Sequence, residues 1–249
     1  TGSMYRPKEF EELVPVLRKH NILVIADEIY SLTAFDGQPS PSLARWYPEG
    51  TIVSNGLSKG FSAGGYRLGI MAIPQPLAQL VPVMTSLVSE TFSCVSSPVQ
   101  QAAVVAFSDH PEVNQYLKTC SQIHRACGEY LFARFQSMGL NGAPPQGAFY
   151  LFPDFEGYKD KLAAIGITTS SQLCHHLLNE IKVATLPGSD FYMPNDFLAI
   201  RVATVDYEGS EVLAAAQQGA SLDNNFVEQY CPNLKNGCDR IHEFIQSLR

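Results

Sequence analysis

The chain is short of several things, and each shortage excludes a class. No apolar run approaches the roughly 20 residues of a membrane span; Ile22–Ala26 is only a strand's length. The first residues lack the basic, apolar, small-residue order of a secretory signal. Positive charge is scarce: 17 Lys and Arg stand against 24 Asp and Glu among 249 residues, a net charge of −7 with pI near 5.3. A field of that sign does not attract a phosphate backbone, so neither nucleic acid nor a membrane is expected as a partner. The six cysteines, at 94, 120, 127, 174, 231 and 238, form no Cys-x-x-Cys and no Cys/His pair at zinc spacing, so no metal site is expected. They read as reduced, mostly buried thiols of a cytoplasmic protein, with nothing to indicate a Cys231–Cys238 bridge. The single tryptophan, Trp46, lies in a loop and reads as packing.

What is present is an ordinary globular composition, 45% hydrophobic and 16% charged, which excludes intrinsic disorder. Phe10, Leu13, Val14 and Leu17 give a first helix its apolar face, with Pro7 in the opening turn and Pro15 expected to kink or end it. The β-branched run 21–27 reads as a strand covered on both faces, followed by strands at 52–54 and 68–73. Helices are expected over 75–89, 97–108 and 111–138. This alternation implies an α/β layer. Beyond about residue 140 the elements shorten. A strand is expected over 148–152, a helix over 170–179, short strands over 182–185 and 198–203, and two closing helices over 208–222 and 225–248. The expected organisation is therefore a large-domain portion over 1–110, a bridging helix over 111–138 and a small α+β domain over 139–249.

Chemistry concentrates in two segments. Asp27 closes a buried strand in Ala26-Asp27-Glu28-Ile29-Tyr30, at the strand end where α/β sheets bind ligands. A carboxylate leaving an apolar strand is costly unless a cation or donor meets it, yet a turn residue reads equally well there. The segment from Ser54 to Gly69 is rich in Gly and Ser and holds Lys59 and Arg67. Such a segment lets backbone and hydroxyl donors approach an anion, a lysine there can form a Schiff base, and an arginine offers a bidentate fork. The Walker order is absent. The six histidines have no nucleophile or metal pattern around them and read as solvated or structural.

Taken together these residues resemble a family. Asp27, Tyr30, Lys59 thirty-two residues after Asp27, and Arg67 eight residues after Lys59 are similar to the signature of the fold-type I pyridoxal-phosphate enzymes, class I/II aminotransferases. Ser58-Lys59 through Arg67-Leu68-Gly69 matches the Ser-Lys-x(7)-Arg-x-Gly pattern. Pro145-Gln146-Gly147-Ala148-Phe149-Tyr150-Leu151-Phe152 resembles the start of the small domain. Leu186-Pro187-Gly188-Ser189-Asp190-Phe191 with Ile200-Arg201-Val202-Ala203 resembles its closing segment. Thr1-Gly2 looks like the end of an Asn-Pro-Thr-Gly motif, so the chain reads as the C-terminal portion of such a protein, without the glycine-rich phosphate turn and ring-stacking aromatic that precede it.

The resemblance implies an α/β fold with a partial large domain, built on a mixed, mostly parallel sheet, and a smaller C-terminal α+β domain. It implies pyridoxal 5′-phosphate as cofactor and exchange of an amino group between an amino acid and a 2-oxo acid. Lys59 would hold the cofactor as a Schiff base and shuttle a proton. Asp27 would pair with the pyridine nitrogen, Tyr30 with the phenolic oxygen, and Arg67 with the phosphate. Arg201 would fork onto the substrate α-carboxylate. The family often places a serine three residues before the lysine; Gly56 stands there, leaving Ser54, Ser58 or Ser62 for the phosphate. A homodimer is expected, because the family builds its site at a subunit interface. Lyases and synthases on the same scaffold, and aminotransferase-like sensing domains of transcription regulators, are alternatives.

Overall fold

The computed structural model describes residues 2–37 and 39–248. It divides into two compact units, residues 4–118 and residues 1–3 with 119–249.

The first unit opens with α1 (Pro7–Lys19). The Glu9 carboxylate accepts the Arg6 N–H at 2.6 Å, and Pro7 takes the first helical position, where a missing N–H costs nothing. Phe10, Val14 and Leu17 bury the apolar face against Leu43 and Tyr47, with Trp46 packed on Phe10 at 5.4 Å between ring centroids. Pro15 does not end the helix. It lies on the exposed face, where water can take the carbonyl its missing N–H leaves.

Three strands follow: β1 (Val24–Asp27), β2 (Thr51–Gly56) and β3 (Gly69–Ala72). The sheet is mixed. β1 pairs parallel with β2, setting Asp27 opposite Ser54, and β2 pairs antiparallel with β3, setting Gly56 opposite Gly69. The expectation of a first strand covered on both faces is corrected: Ile25 is 67% exposed. A β-branched run specifies strand; what covers it depends on other parts of a fold.

The helix expected over 75–89 is split. Pro74 and Pro76 give a 3₁₀ turn, Gln75–Leu77, and α2 (Leu80–Thr91) begins after it with Pro82 in its first turn. Next come α3 (Ser97–Ala106) and α4 (Pro111–Ser137), the division between units falling inside α4.

The second unit holds a small sheet of β4 (Tyr150–Leu151), β5 (Leu186–Pro187) and β6 (Ile200–Ala203), with β6 central and both pairings antiparallel. Around it pack α5 (Lys159–Ala164), α6 (Ser170–Asn179), α7 (Gly209–Gln217), α8 (Asn224–Tyr230) and α9 (Pro232–Ser247). Phe155, Leu162, Leu173, Leu177, Ile200 and Ile241 form its fully buried centre. Thr169 and Gln172 cap α6 reciprocally, at 3.2 and 3.1 Å. Arg134 on α4 and Lys235 on α9 both bond Asp239, at 2.6 and 2.7 Å, and hold its carboxyl below the usual range.

Two expectations are corrected here. The strand expected over 182–185 forms no ladder: Lys182 is left-handed (φ 61°), and the Val183 N–H returns to the Leu177 carbonyl at 2.8 Å. The closing helix expected over 225–248 is two helices, because Pro232 lacks an N–H and pushes Cys231 out of helical geometry (φ −125°, ψ 54°). Among the described residues no helix is long and apolar enough to cross a membrane.

Candidate active site

In the first unit the chemistry-bearing residues gather at the carboxyl end of β1 and β2. Asp27 is the last residue of β1. Its Oδ1 accepts the Ile29 N–H at 3.2 Å and the Ser54 hydroxyl from the neighbouring strand at 3.5 Å. The carboxylate is thus oriented by its own turn and by β2, and it stays exposed. The Glu28 N–H donates to the Ser54 carbonyl at 2.9 Å, and the Asn55 amide donates to the Ser31 hydroxyl at 3.3 Å. These bonds tie the segment carrying Tyr30 to the end of β2.

Glu28, beside Asp27, points elsewhere. Partial burial raises its carboxyl's pKa, opposed by bonds from the Ser42 hydroxyl and the Leu43 N–H. It is a structural acid, and the chain separates two adjacent carboxylates into different environments.

Lys59 follows β2 in a tight turn. The Ser62 N–H donates to the Lys59 carbonyl at 3.0 Å, and the Ala63 N–H to the Leu57 carbonyl at 3.0 Å. The half-buried lysine carries its Nζ over the Tyr30 ring, 5.7 Å from the centroid. Ser58 precedes it and is half-buried. Ser62 and Arg67 are both left-handed (φ 52° and 53°), a conformation uncommon for any residue but glycine. The Arg67 Nη1 donates to the Gly64 carbonyl at 2.7 Å, which curls the exposed guanidinium back over its own turn. Gly56 departs from a serine for a local reason: a Cβ there would meet the Leu68 carbonyl oxygen at 2.8 Å.

The structure therefore brings Asp27, Tyr30, Ser54, Ser58, Lys59 and Arg67 together in one unit. Ser54 differs from Ser58 in that its hydroxyl is directed at Asp27.

Arg201 belongs to the other unit, on β6. Its guanidinium lies over the rings of Tyr150 and Phe191, each centroid 4.5 Å away. It makes no ion pair or hydrogen bond with a described residue. A half-buried cation left without an acceptor is arranged to receive an anion. Tyr150 and Phe191 were not singled out from the sequence as site residues. Their signal is the register: Tyr150 pairs with Ala203, which places it diagonally beside Arg201 on the same face of the sheet.

Two histidines of the second unit pack on aromatic rings. His124 is buried against Phe149 with its Nδ1 3.2 Å from the Tyr207 hydroxyl, and burial lowers its pKa to about 4. His176 packs on Phe244.

The first unit thus carries a strand-end carboxylate, a lysine in the turn after the next strand and an arginine that closes that turn, and comparison with known proteins gives its class a name. The family model for aminotransferase class I and II matches residues 1–216, and the chain belongs to that family. Members of the family use pyridoxal phosphate. Among similar proteins is an aspartate aminotransferase of Geobacillus stearothermophilus, 34% identical over 79% of this chain and 49% of its own length. An aspartate aminotransferase of Pinus pinaster is 34% identical over 77% of this chain and 39% of its own length. The chain thus spans about half or less of these relatives. A Thermotoga maritima aspartate aminotransferase structure superposes with a TM-score of 0.72 at 26% identity, over 99% of this chain and 54% of that one. A Pyrococcus horikoshii aromatic aminotransferase shares the fold with a TM-score of 0.77 at 24% identity, over 99% and 57%.

Proposed function

We propose that the protein is a pyridoxal-phosphate-dependent aminotransferase that moves an amino group between an amino acid and a 2-oxo acid. The observation that carries this reading is the placement of Lys59 beside Tyr30 in the turn after β2, with Asp27 ending the parallel strand alongside. These residues fit the cofactor. An amine can meet an aldehyde, an exposed oriented carboxylate can meet a ring nitrogen, and the strained Ser58–Arg67 turn offers a hydroxyl and a guanidinium to a phosphate.

When bound, pyridoxal phosphate supplies an electron sink for the pair left at the substrate Cα. The chain's residues do the rest. Asp27 holds a proton at the pyridine nitrogen, its own orientation kept by Ser54 and the Ile29 N–H. Tyr30 donates to the phenolic oxygen. Arg67 and Ser58 bind the phosphate. Lys59 would hold the cofactor through its Nζ, and its amine would serve as the base and acid that moves the substrate Cα proton. Arg201 would bind the substrate α-carboxylate through its guanidinium fork.

On this reading residues 1–110 belong to the large cofactor-binding domain, 111–138 bridge, and 139–249 form the small domain. The protein works as a homodimer in the cytoplasm. Its relatives' names make aspartate the first amino donor to test, against a panel of 2-oxo acids.

The test is a visible absorbance titration with pyridoxal phosphate on the native chain and on Lys59→Ala. A new band in the native chain alone, with borohydride fixing the adduct on Lys59, supports the reading. A substrate panel then looks for amino-acid product from the acceptor; ammonia or an eliminated group in its place would indicate a lyase. An adduct on another lysine overturns the assignment.

A further inference from the structure

We propose that Tyr150 and Phe191 are positioning residues for Arg201: a pair of aromatic rings that holds the guanidinium oriented for a substrate carboxylate in place of a neutralising protein acid. The inference rests on the proposed role of Arg201 and goes beyond it by naming what makes that arginine competent.

A guanidinium is usually held still by a carboxylate. That solution is self-defeating at a carboxylate-binding site, because the protein acid would occupy the fork. Aromatic faces attract the cation through the ring quadrupole without consuming an N–H donor. Arg201 shows this arrangement. Its Cζ is 4.5 Å from the centroid of each ring, and no described residue accepts a hydrogen bond from it.

Both rings are themselves fixed. Phe191 ends the 3₁₀ turn Gly188–Phe191 that follows β5, and Phe152 meets it edge-on at 5.7 Å. Gly188 sits so tightly on Ala199 that an added Cβ would lie 3.1 Å from the Ala199 Cβ. Tyr150 is set by the β4–β6 register and, on its other side, by Gly2. The Gly2 carbonyl accepts the Gln146 N–H at 2.8 Å and the Gly147 N–H at 3.3 Å. Its α-carbon approaches so closely that a Cβ would stand 2.7 Å from the Tyr150 carbonyl oxygen. Ala148, between these contacts, is left-handed (φ 57°), so the segment leading into Tyr150 is held in a strained shape. Behind it, Phe149 packs on His124, which the Tyr207 hydroxyl meets. Residues far apart in sequence therefore converge on where one guanidinium points.

The test is nitrogen-15 NMR of the full chain, following the Arg201 Nε–Hε resonance and, in every variant including Arg201→Gln, the backbone amide resonances of β6 during titration with 2-oxoglutarate, with its dimethyl ester as the control lacking carboxylates. The variants are Arg201→Gln, Tyr150→Phe, Tyr150→Met and Phe191→Met, with Tyr150→Leu and Phe191→Leu in reserve should a methionine variant lose its dispersed amide spectrum. The expected result is saturable binding in the native chain that the ester does not reproduce. Tyr150→Phe keeps that affinity, since it keeps the ring, and each methionine variant weakens it about fivefold or more. Methionine variants that bind as tightly as the native chain, while Arg201→Gln does not, overturn the positioning role and leave the carboxylate reading standing. A native Arg201 resonance that 2-oxoglutarate does not move, or an Arg201→Gln chain that binds equally, overturns both.

Discussion

Asp27 and Ser54 face each other across adjacent parallel strands, and the serine hydroxyl donates to the Asp27 carboxylate at 3.5 Å. The bond is long, and a second donor, the Ile29 N–H, shares the same oxygen at 3.2 Å. Ser54→Ala is therefore expected to weaken pyridoxal phosphate binding by a modest factor, about two- to fivefold, with little change in folding. Asp27→Asn, which removes the charge itself, should cost considerably more. Absorbance titrations of the two variants side by side check the order.

Gly2 is expected to be intolerant of any side chain. Its φ is +79°, and a Cβ would collide with the Tyr150 carbonyl. Gly2→Ala should destabilise the unit holding residues 119–249 by about 1–3 kcal/mol, read as a lowered urea midpoint. Because the same contact sets Tyr150, the Arg201 Nε–Hε resonance should move as well.

His124 gives the fold a pH dependence of definite sign. Burial lowers its folded pKa to about 4, whereas the unfolded value is near 6.5. Between those values the unfolded chain binds the proton and the folded chain does not, so stability falls as pH drops from about 6.5 toward 4. The loss by pH 5 should be roughly 2 kcal/mol. His124→Gln, which does not titrate, should flatten the urea midpoint over pH 7 to 5, while the native chain slopes downward.

The thiols should separate by exposure. Cys94 is exposed, Cys120 is intermediate, and Cys127, Cys174, Cys231 and Cys238 are buried. The Cys127 and Cys231 sulfurs lie 3.8 Å apart as free thiols, and this bond together with burial pushes the Cys127 thiol up. Burial raises the Cys238 thiol to about 11. A thiol-specific chromogenic reagent should therefore label Cys94 quickly in the native chain and reach all six cysteines only in denaturant. Rapid modification of Cys127 or Cys231 in the folded chain would contradict this packing.

Much of the candidate site's layout along the chain is legible from the sequence alone. The order Asp27, Tyr30, Lys59, Arg67 is local chemistry on a strand end and a Gly/Ser-rich turn, and both strand and turn are encoded in short stretches of chain. The division into a longer-stranded first half and a short-stranded second half was legible for the same reason. The helix expected over 170–179 is found at those residues, and the structure shows Thr169 and Gln172 capping its start.

Other features depended on residues distant in sequence. The strand expected over 182–185 gave way because the Val183 N–H found the end of α6, and a propensity scale does not contain that partner. Ile25 is exposed although its β-branched neighbours read as buried, since coverage is supplied by whatever packs on a sheet and not by the strand. Ser54 could be counted among the phosphate candidates from sequence, but only the β1–β2 register turned it toward Asp27. The aromatic pair on Arg201 is the clearest case. Tyr150 and Phe191 lie 51 and 10 residues before it, and they meet it because antiparallel register and a tight turn bring all three to one face. Sequence alone determined which chemical groups this protein carries and on which kind of local element. Tertiary structure decided which groups touch, because contact is set by pairing register and packing, and these are summed over the whole chain.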